Sequence, residues 1–381
     1  MDMNVVIRSE YSKALSNQSD YLADEYQTLC SAEQYDKRYL EKVPAPILDA
    51  DFGCGNPSKY VREGDAVLDL GSGSGKICYI LSQIVGPNGK VFGVDFTRDM
   101  VALARSQQET FAGTVGFDNM RFSQASITDL RTDLEMVDRL LARGAIDSLD
   151  KLQAFEQRKA EIFTANPLIS DDSIDVIVSN CVINLVRTGD KVAVFHEMFR
   201  VLKPGGRIAI SDNVSNIEVP PELQADAKLW AACYAGVFQE QQFYAAIESA
   251  GFTGLRIEVR NDDPAKTVDG LVFRSVTITA VKPPRAARGT SANRELMYRG
   301  PWREVVDESG LRLRRGEVAV VSAETAARLS GEATQADIID IDTAASAVEA
   351  ACCPPARTSG SSGGEQPKAV TPAASANSCC G

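Results

Sequence analysis

The chain has 381 residues, 44% of them hydrophobic, enough for one large domain and something smaller. Its formal net charge of −12 argues against nucleic acid as a partner and against docking on an anionic membrane, and no apolar run reaches membrane-spanning length. The start MDMNVVIRSEYSK lacks the apolar stretch of a secretory signal, so the nine cysteines read as reduced cytoplasmic thiols, not a disulfide framework.

Residues 1–45 are polar, with Val5, Tyr11, Leu15, Tyr21, Leu22, Tyr26 and Leu29 at loose helical spacing. That spacing predicts one or two helices, broken by Pro44 and Pro46. The turn-rich DADFGCGNPS follows, and then strand and helix alternate across 46–284. Val67, Leu68 and Leu70 predict a first buried strand, and Val91–Phe96 a second. Thr97 is placed to cap a helix carrying Met100, Val101, Leu103 and Ala104. Met120–Ala125 is the third strand and Ile174–Ser179 the fourth. Val192, Phe195, Phe199 and Leu202 predict the buried face of the next helix, which Lys203-Pro204-Gly205-Gly206 ends. The same helix carries the single histidine, His196, which reads as structural and leaves no basis for a His-rich metal site. Arg207–Ser211 is the fifth strand, and Leu255–Val259 with Phe273–Val281 predict a closing hairpin. Alternation of this kind implies an α/β fold, a doubly wound and mostly parallel sheet with its ligand at the carboxyl edge. Residues 131–165 are charged and predict a helical insertion over the sheet. Residues 285–345 read as a small β-rich module. The segment 346–381 is rich in Ala, Ser, Gly and Pro and reads as a disordered tail, yet it holds Cys352-Cys353 and Cys379-Cys380.

Gly71, Ser72, Gly73, Ser74 and Gly75 stand between the first strand and a helix. A turn of this kind lets backbone approach a ligand closely at the positive end of a helix. Asp95 ends the next strand about twenty positions on, where an acidic residue holds the ribose hydroxyls of a nucleoside. A P-loop is excluded, because Lys76 is followed by Ile77 and the glycine spacing is wrong. A dinucleotide site wants GxGxxG, whereas this chain has GxGxG. Following VLDLG, that tighter form resembles motif I of the S-adenosylmethionine-dependent methyltransferases.

Cys54 precedes the first strand, Cys78 lies in the first turn of the glycine-loop helix, Cys181 follows the fourth strand, and Cys233 falls in a helical LWAACYAG. A cysteine is often a small buried hydrophobe, but four at or near one edge ask for another reason. DLGSGSGKICYILSQIVG, DVIVSNCVINLV, RVLKPGGRIAISD and LWAACYAG resemble the arsenite S-adenosylmethionine methyltransferases over roughly 50–282, and SNCVINL is the most specific of them. The resemblance implies a Rossmann-like class I methyltransferase serving arsenic biotransformation. It implies Cys54, Cys78, Cys181 and Cys233 as the catalytic thiols, with Cys54, Cys181 and Cys233 as the ligands of trivalent arsenic. It further implies a disulfide between Cys54 and Cys78 in the redox cycle, and a thiol reductant of thioredoxin or glutathione type as partner. The expected S-adenosylmethionine contacts are Asp69, Gly71, Ser72, Gly73, Gly75, Asp95, Phe96, Met100, Ser126 and Ile127, with Asn180 at the methionine part. Lys76 reads as solvated. The long insertion, the GCGNP loop and the C-terminal module depart from the animal members of the family.

The chemistry accounts for these residue types. Trivalent arsenic is soft and selects thiolates. Three sulfurs leave its lone pair free to attack a sulfonium methyl in line, so orientation rather than a general base is the protein's task. A helix N-terminus near Cys78 is expected to favour its thiolate. Other readings remain: a methyltransferase for a different soft acceptor, or a protein that sequesters arsenicals without turnover. The adjacent cysteine pairs of the tail are either incidental or a tethered thiol trap, for which a flexible tether supplies an effective concentration on the order of mM. On the second view, truncation after Thr343 leaves the saturated methylation rate nearly unchanged and raises the arsenite concentration for half-maximal rate; identical titrations of both proteins would make the tail a solubilising appendage.

Overall fold

The computed structural model describes residues 3–14, 35–50, 53–268, 270–284, 293–307, 309–329 and 337–341. Cys30 and the tail, with Cys352-Cys353 and Cys379-Cys380, lie outside these residues.

Five parallel strands form the spine: β1 (Ala66–Leu70), β2 (Lys90–Asp95), β3 (Met120–Gln124), β4 (Ile174–Asn180) and β5 (Leu202–Ser215). They are followed by β6 (Phe238–Gln239), β7 (Thr253–Arg260), β8 (Lys266–Val268) and β9 (Leu271–Val281). The order across the sheet is β3-β2-β1-β4-β5-β9-β7, with β6 beside β5 and β8 beside β9. β9 runs antiparallel to β5 from Arg207 against Val281 to Ser215 against Phe273, and so inserts between β5 and β7. β5 is longer than the expected Arg207–Ser211. Its start at Leu202 pairs with Ile174 through a register shift, and its far end extends to Ser215.

Central strands covered on both faces are apolar runs, not alternations. Adjacent residues of β1 therefore enter different cores. Leu68 and Leu70 join Ile177, Ile208 and Ile210 on one face, where Phe195 and Met198 of the helix after β4 pack. Val67 joins Val91, Val176 and Val178 on the other, against Tyr79, Ile80 and Leu81 of the helix after β1. The strand order reverses at β1, so a crevice opens at the carboxyl ends of β1 and β4.

The described helices are α1 (Met3–Ala14), α2 (Lys76–Val85), α3 (Arg98–Ser106), α4 (Gln108–Val115), α5 (Leu134–Leu141), α6 (Leu149–Ala165), α7 (Lys191–Val201), α8 (Ala227–Ala231), α9 (Glu240–Ser249) and α10 (Ala323–Leu329), with shorter turns between. The buried face of α7 is Val194, Phe195, Met198 and Val201, whereas Val192 is exposed, because it lies about 120° round the helix from Met198, at the middle of that face. Thr97 stands at the N-cap of α3 but makes no side-chain cap bond; its amide donates instead to Asp95 Oδ1 (2.7 Å). The segment 131–165 forms α5 and α6. Leu140 and Phe163 are its buried anchors, an Arg105–Glu135 ion pair (2.7 Å) ties it to α3, and Leu149 and Leu152 face solvent. After residue 284, β10 (Arg294–Tyr298), β11 (Glu304–Val306), β12 (Arg312–Arg314), β13 (Val318–Val321) and β14 (Ile338–Asp340) build a three-stranded and a two-stranded sheet. With α10 they enclose a separate core around Leu296, Tyr298, Leu313, Val321 and Leu329.

Phe111 of α4 meets Tyr79 edge to face at 4.8 Å, inside the core behind the glycine turn. Phe111→Ala is expected to lower the unfolding free energy by about 3–5 kcal/mol with the urea m-value unchanged; a loss under about 1 kcal/mol would mean that the site collapses around the smaller side chain.

Candidate active site

The glycine turn is closed by its own bonds. The Gly71 and Ser72 amides donate to Val94 O (2.8 and 3.0 Å), the Gly75 amide donates to Ser72 O (2.8 Å), and the Gly73 amide donates to Asp95 Oδ2 (2.9 Å). Gly71 has φ +69°, and a Cβ there would overlap the Val182 side chain, so only glycine lets the turn lie against the residue after Cys181. At Gly73 nothing occupies the space a Cβ would take. A cavity opens on this turn. Asp69, Gly71, Ser72, Gly73, Asp95, Phe96, Met100, Ser126, Ile127 and Asn180 all line it, and so does Cys181. Gly75 does not reach it, being the N-cap of α2 in left-handed backbone beneath the turn.

The cavity fits a nucleoside-bearing cofactor by its own chemistry. Ser72 Oγ is buried there without a hydrogen-bond partner. Asp95 offers a carboxylate whose two oxygens are oriented by the Gly73 and Thr97 amides. Burial raises its pKa, and those amide bonds pull the other way.

Three cysteines come together at the carboxyl ends of β4 and β5. Cys54, Cys181 and Cys233 form one buried cluster. Cys54 and Cys181 are joined as a disulfide, with Cα atoms 5.9 Å apart, which corrects both the expectation of reduced thiols throughout and the expected pairing of Cys54 with Cys78. The Cys233 thiol donates to Cys181 O (3.1 Å). Cys233 is not on a helix: it follows α8 in left-handed backbone, φ +61°, and Cys181 sits at φ +58°. Positive φ is unusual for a residue with a Cβ and is held only where its surroundings fix it. At Cys181 that fixing comes from its amide, bound to Ser211 O (2.9 Å), and from its sulfur, which accepts from Asn213 Nδ2 (3.9 Å).

Asn180 holds the opposite wall. Its Oδ1 accepts from the amides of Cys54 (2.8 Å) and Gly55 (3.2 Å). Its Nδ2 donates to Gly55 O (2.8 Å) and to the Tyr35 hydroxyl (3.2 Å). Asn180 was expected to meet the methionine part of a cofactor, yet its amide is engaged in pinning the Cys54 loop. That loop lies so close to β5 that a Cβ on Gly55 would run into the Ser211 side chain.

Cys78 stands apart. Its thiol is fully buried in the core beneath the turn and donates to Asp69 Oδ2 (3.2 Å). Burial and the neighbouring Asp69 carboxylate push this thiol up, against the expected activation by the helix N-terminus. Asp69 is itself pushed up to about 7, chiefly by burial; the Cys78 hydrogen bond opposes the rise and the negative Asp95 adds to it.

Several groups at this site were not marked in the sequence. Ile7 and Tyr11 of α1 line the cavity, and the Tyr11 hydroxyl lies 3.9 Å from Cys233 Sγ. Lys76, expected in solvent, is buried, lines the cavity and places Nζ 4.4 Å over the Tyr35 ring. An Asp212 oxygen and the sulfurs of Cys54 and Cys181 lie within 4.8 Å of one another. Asp212 accepts from the Ile183 amide (3.0 Å) and from Asn184 Nδ2 (2.7 Å); burial pushes it up to about 6. Lys191, buried nearby, donates to Gly236 O and is pushed down to about 8 by burial, against the pull of Asp212 and Cys233. The sequence signal for Asp212 is its place as the Asp of RIAISD in β5, one strand over from Asn180; Tyr11 and Tyr35 have none.

Parallel strands in this order, with one antiparallel strand inserted next to the far edge and a glycine turn with a carboxylate at the next strand's end, define a class I methyltransferase. Residues 62–160 and 148–251 match a methyltransferase domain family, and residues 286–366 match a domain of unknown function. The arsenite methyltransferase of Aquipseudomonas alcaligenes is 32% identical over 70% of this chain and 66% of its own length. The Homo sapiens arsenite methyltransferase is 29% identical over 79% of this chain and 73% of its own. The chain thus spans about two thirds to three quarters of these relatives. A crystal structure of an arsenic(III) S-adenosylmethionine methyltransferase from Chlamydomonas reinhardtii superposes with a TM-score of 0.55 at 25% identity, covering 80% of this chain and 94% of that one. This protein belongs to the arsenite methyltransferase family.

The raised Asp69 carboxyl has a consequence for stability. Unfolded, it ionises near its ordinary 3.8, whereas folded it holds its proton to about 7. Its contribution is therefore complete below the unfolded value and lost as pH rises through the folded one. The difference in unfolding free energy between wild type and Asp69→Asn is expected to fall from about pH 4 to about pH 7 and to level off above. A difference that stays flat across that range would return Asp69 to an ordinary carboxylate.

Proposed function

We propose that this chain transfers methyl groups from S-adenosylmethionine to trivalent arsenic bound by Cys54, Cys181 and Cys233. The observation that carries the reading is the continuity of one cavity, from the glycine turn and Asp95 to Cys181, with Cys54 and Cys233 clustered behind that sulfur.

When bound, S-adenosylmethionine supplies an electrophilic methyl group on a sulfonium. Among the residues lining the cavity, Asp95 would accept the ribose hydroxyls, Phe96, Met100, Ser126 and Ile127 would hold the adenine, and Gly73 would let the backbone approach closely. The thiols hold the arsenical as soft ligands for a soft centre and aim its lone pair along the cavity. The new arsenic–carbon bond takes that lone pair while the sulfonium carbon–sulfur bond breaks onto sulfur, so arsenic is formally oxidised by two electrons. A thiol reductant, one dithiol of thioredoxin type or two thiols of glutathione type, returns them. The same reductant opens the Cys54–Cys181 disulfide, since neither sulfur can ligate arsenic while bonded to the other. A cytoplasmic location, where thiols are kept reduced, agrees with this requirement. Cys78, facing Asp69 in the core, takes no part as a ligand.

Labelled methyl transfer to arsenite tests the reading. Cys181→Ser and Cys233→Ser are each expected to reduce transfer to background while S-adenosylhomocysteine binding by calorimetry is retained. Full activity of Cys181→Ser would overturn the arsenical assignment. Arsenite binding without any transfer would favour sequestration, and transfer only to another soft acceptor would reassign the substrate.

A further inference from the structure

One aromatic side chain links the two halves of the site. Tyr35 is buried just before the turn at Lys37–Leu40. The face of its ring carries the Lys76 ammonium at 4.4 Å. Its hydroxyl donates to Gly55 O (2.9 Å) and accepts from Asn180 Nδ2 (3.2 Å). Lys76 is the first residue of α2 and lines the cavity beside the glycine turn. Gly55 adjoins Cys54, and both their amides converge on Asn180. Cofactor turn, Lys76, Tyr35, Gly55 and Cys54 thus form an unbroken run of contacts.

The two ends of Tyr35 do different work. Its ring face is held by a cation whose electrostatic attraction depends on what else that cation meets. Its hydroxyl is held by a carbonyl and an amide belonging to the disulfide loop. A ligand bearing a carboxylate, admitted to the cavity next to Lys76, competes for the same ammonium and so acts differentially on the arrangements of Tyr35. Differential contact of this kind is what a ligand needs to shift a conformational equilibrium. The hydroxyl passes the shift to Gly55, and through Gly55 to the sulfur beside it.

We propose that Tyr35 is a positioning residue that couples occupancy of the cofactor cavity to the placement of the Cys54 thiol, so that the arsenical-binding sulfurs are set when the methyl donor is present. The proposal rests on the cofactor reading above and adds a coupling that the fold does not require. Tyr35→Phe isolates it, because the ring, its burial and its contact with Lys76 persist while both hydroxyl bonds go.

The test follows Cys54 itself. Fully reduced protein is alkylated with iodoacetamide, and modification of Cys54 is timed by peptide mass spectrometry with and without S-adenosylhomocysteine. In wild type the nucleoside is expected to change the Cys54 rate by roughly five- to tenfold or more. In Tyr35→Phe that response collapses, while S-adenosylhomocysteine affinity by calorimetry stays within about twofold of wild type, since no ligand contact is removed. Should Tyr35→Phe fail to fold, Lys76→Met breaks the same run at its other end and is expected to lose the response too. A wild-type Cys54 rate indifferent to the nucleoside, or a full response in Tyr35→Phe, would overturn the coupling. Failure of wild type to bind S-adenosylhomocysteine would instead remove the cofactor reading on which it rests.

Discussion

The side-chain amide of Asn180 is the constraint on which the cysteine side of this site depends. Strand β4 ends there, with one further backbone bond to β5, from the Cys181 amide to Ser211 O. Three hydrogen bonds of the amide hold the Cys54 loop across the strand end, and a fourth reaches the Tyr35 hydroxyl. Cys181, the next residue, turns into left-handed backbone and places its sulfur against that loop. One polar side chain therefore brings together two cysteines 127 positions apart in sequence. An amide suits the place because it supplies two acceptor and two donor directions at once; a carboxylate or an aliphatic of the same size supplies half of them or none.

Charge is distributed around this joint with the same economy. Asp69, Asp212 and Lys191 are all buried, and burial is the leading cause moving each toward its neutral form. Each has a partner nonetheless: the Cys78 thiol, the Ile183 and Asn213 amides, and the Gly236 carbonyl. Satisfied polar groups within an apolar interior favour one arrangement over its neighbours, because any slip strands a donor or acceptor away from water.

The sheet was legible because its strands are short apolar runs separated by glycine turns and amphipathic helices. The cofactor edge was legible because GSGSG and Asp95 are local signals at a known spacing. The sulfurs were legible only in part. Cys181 follows a strand and Cys54 precedes one, so chain order places both at the edge. Cys78 was placed rightly in the first turn of α2, but its direction was not legible, because α2 is buried almost all the way round and leaves no polar face to tell which way its third residue points. Lys76 was misread for a related reason, since a lysine at a helix start is ordinarily solvated and nothing local reveals an aromatic ring waiting above it. Tyr11 and Tyr35 reach the site from a polar N-terminal segment without strong periodicity, and only tertiary packing selects them.

The left-handed backbone at Cys181 and Cys233 has a bearing on how the molecule would respond to selection for robustness alone. Each position holds a Cβ-bearing residue where glycine or asparagine is intrinsically more comfortable, at a cost of order 1 kcal/mol per residue. Under pressure for heat resistance with no demand for turnover, Cys233 is where the chain gains by drifting to glycine, whereas at Cys181 the crosslink to Cys54 offsets the strain that glycine would relieve. On the proposed reading, what keeps sulfur at Cys233 is its place beside the reacting centre.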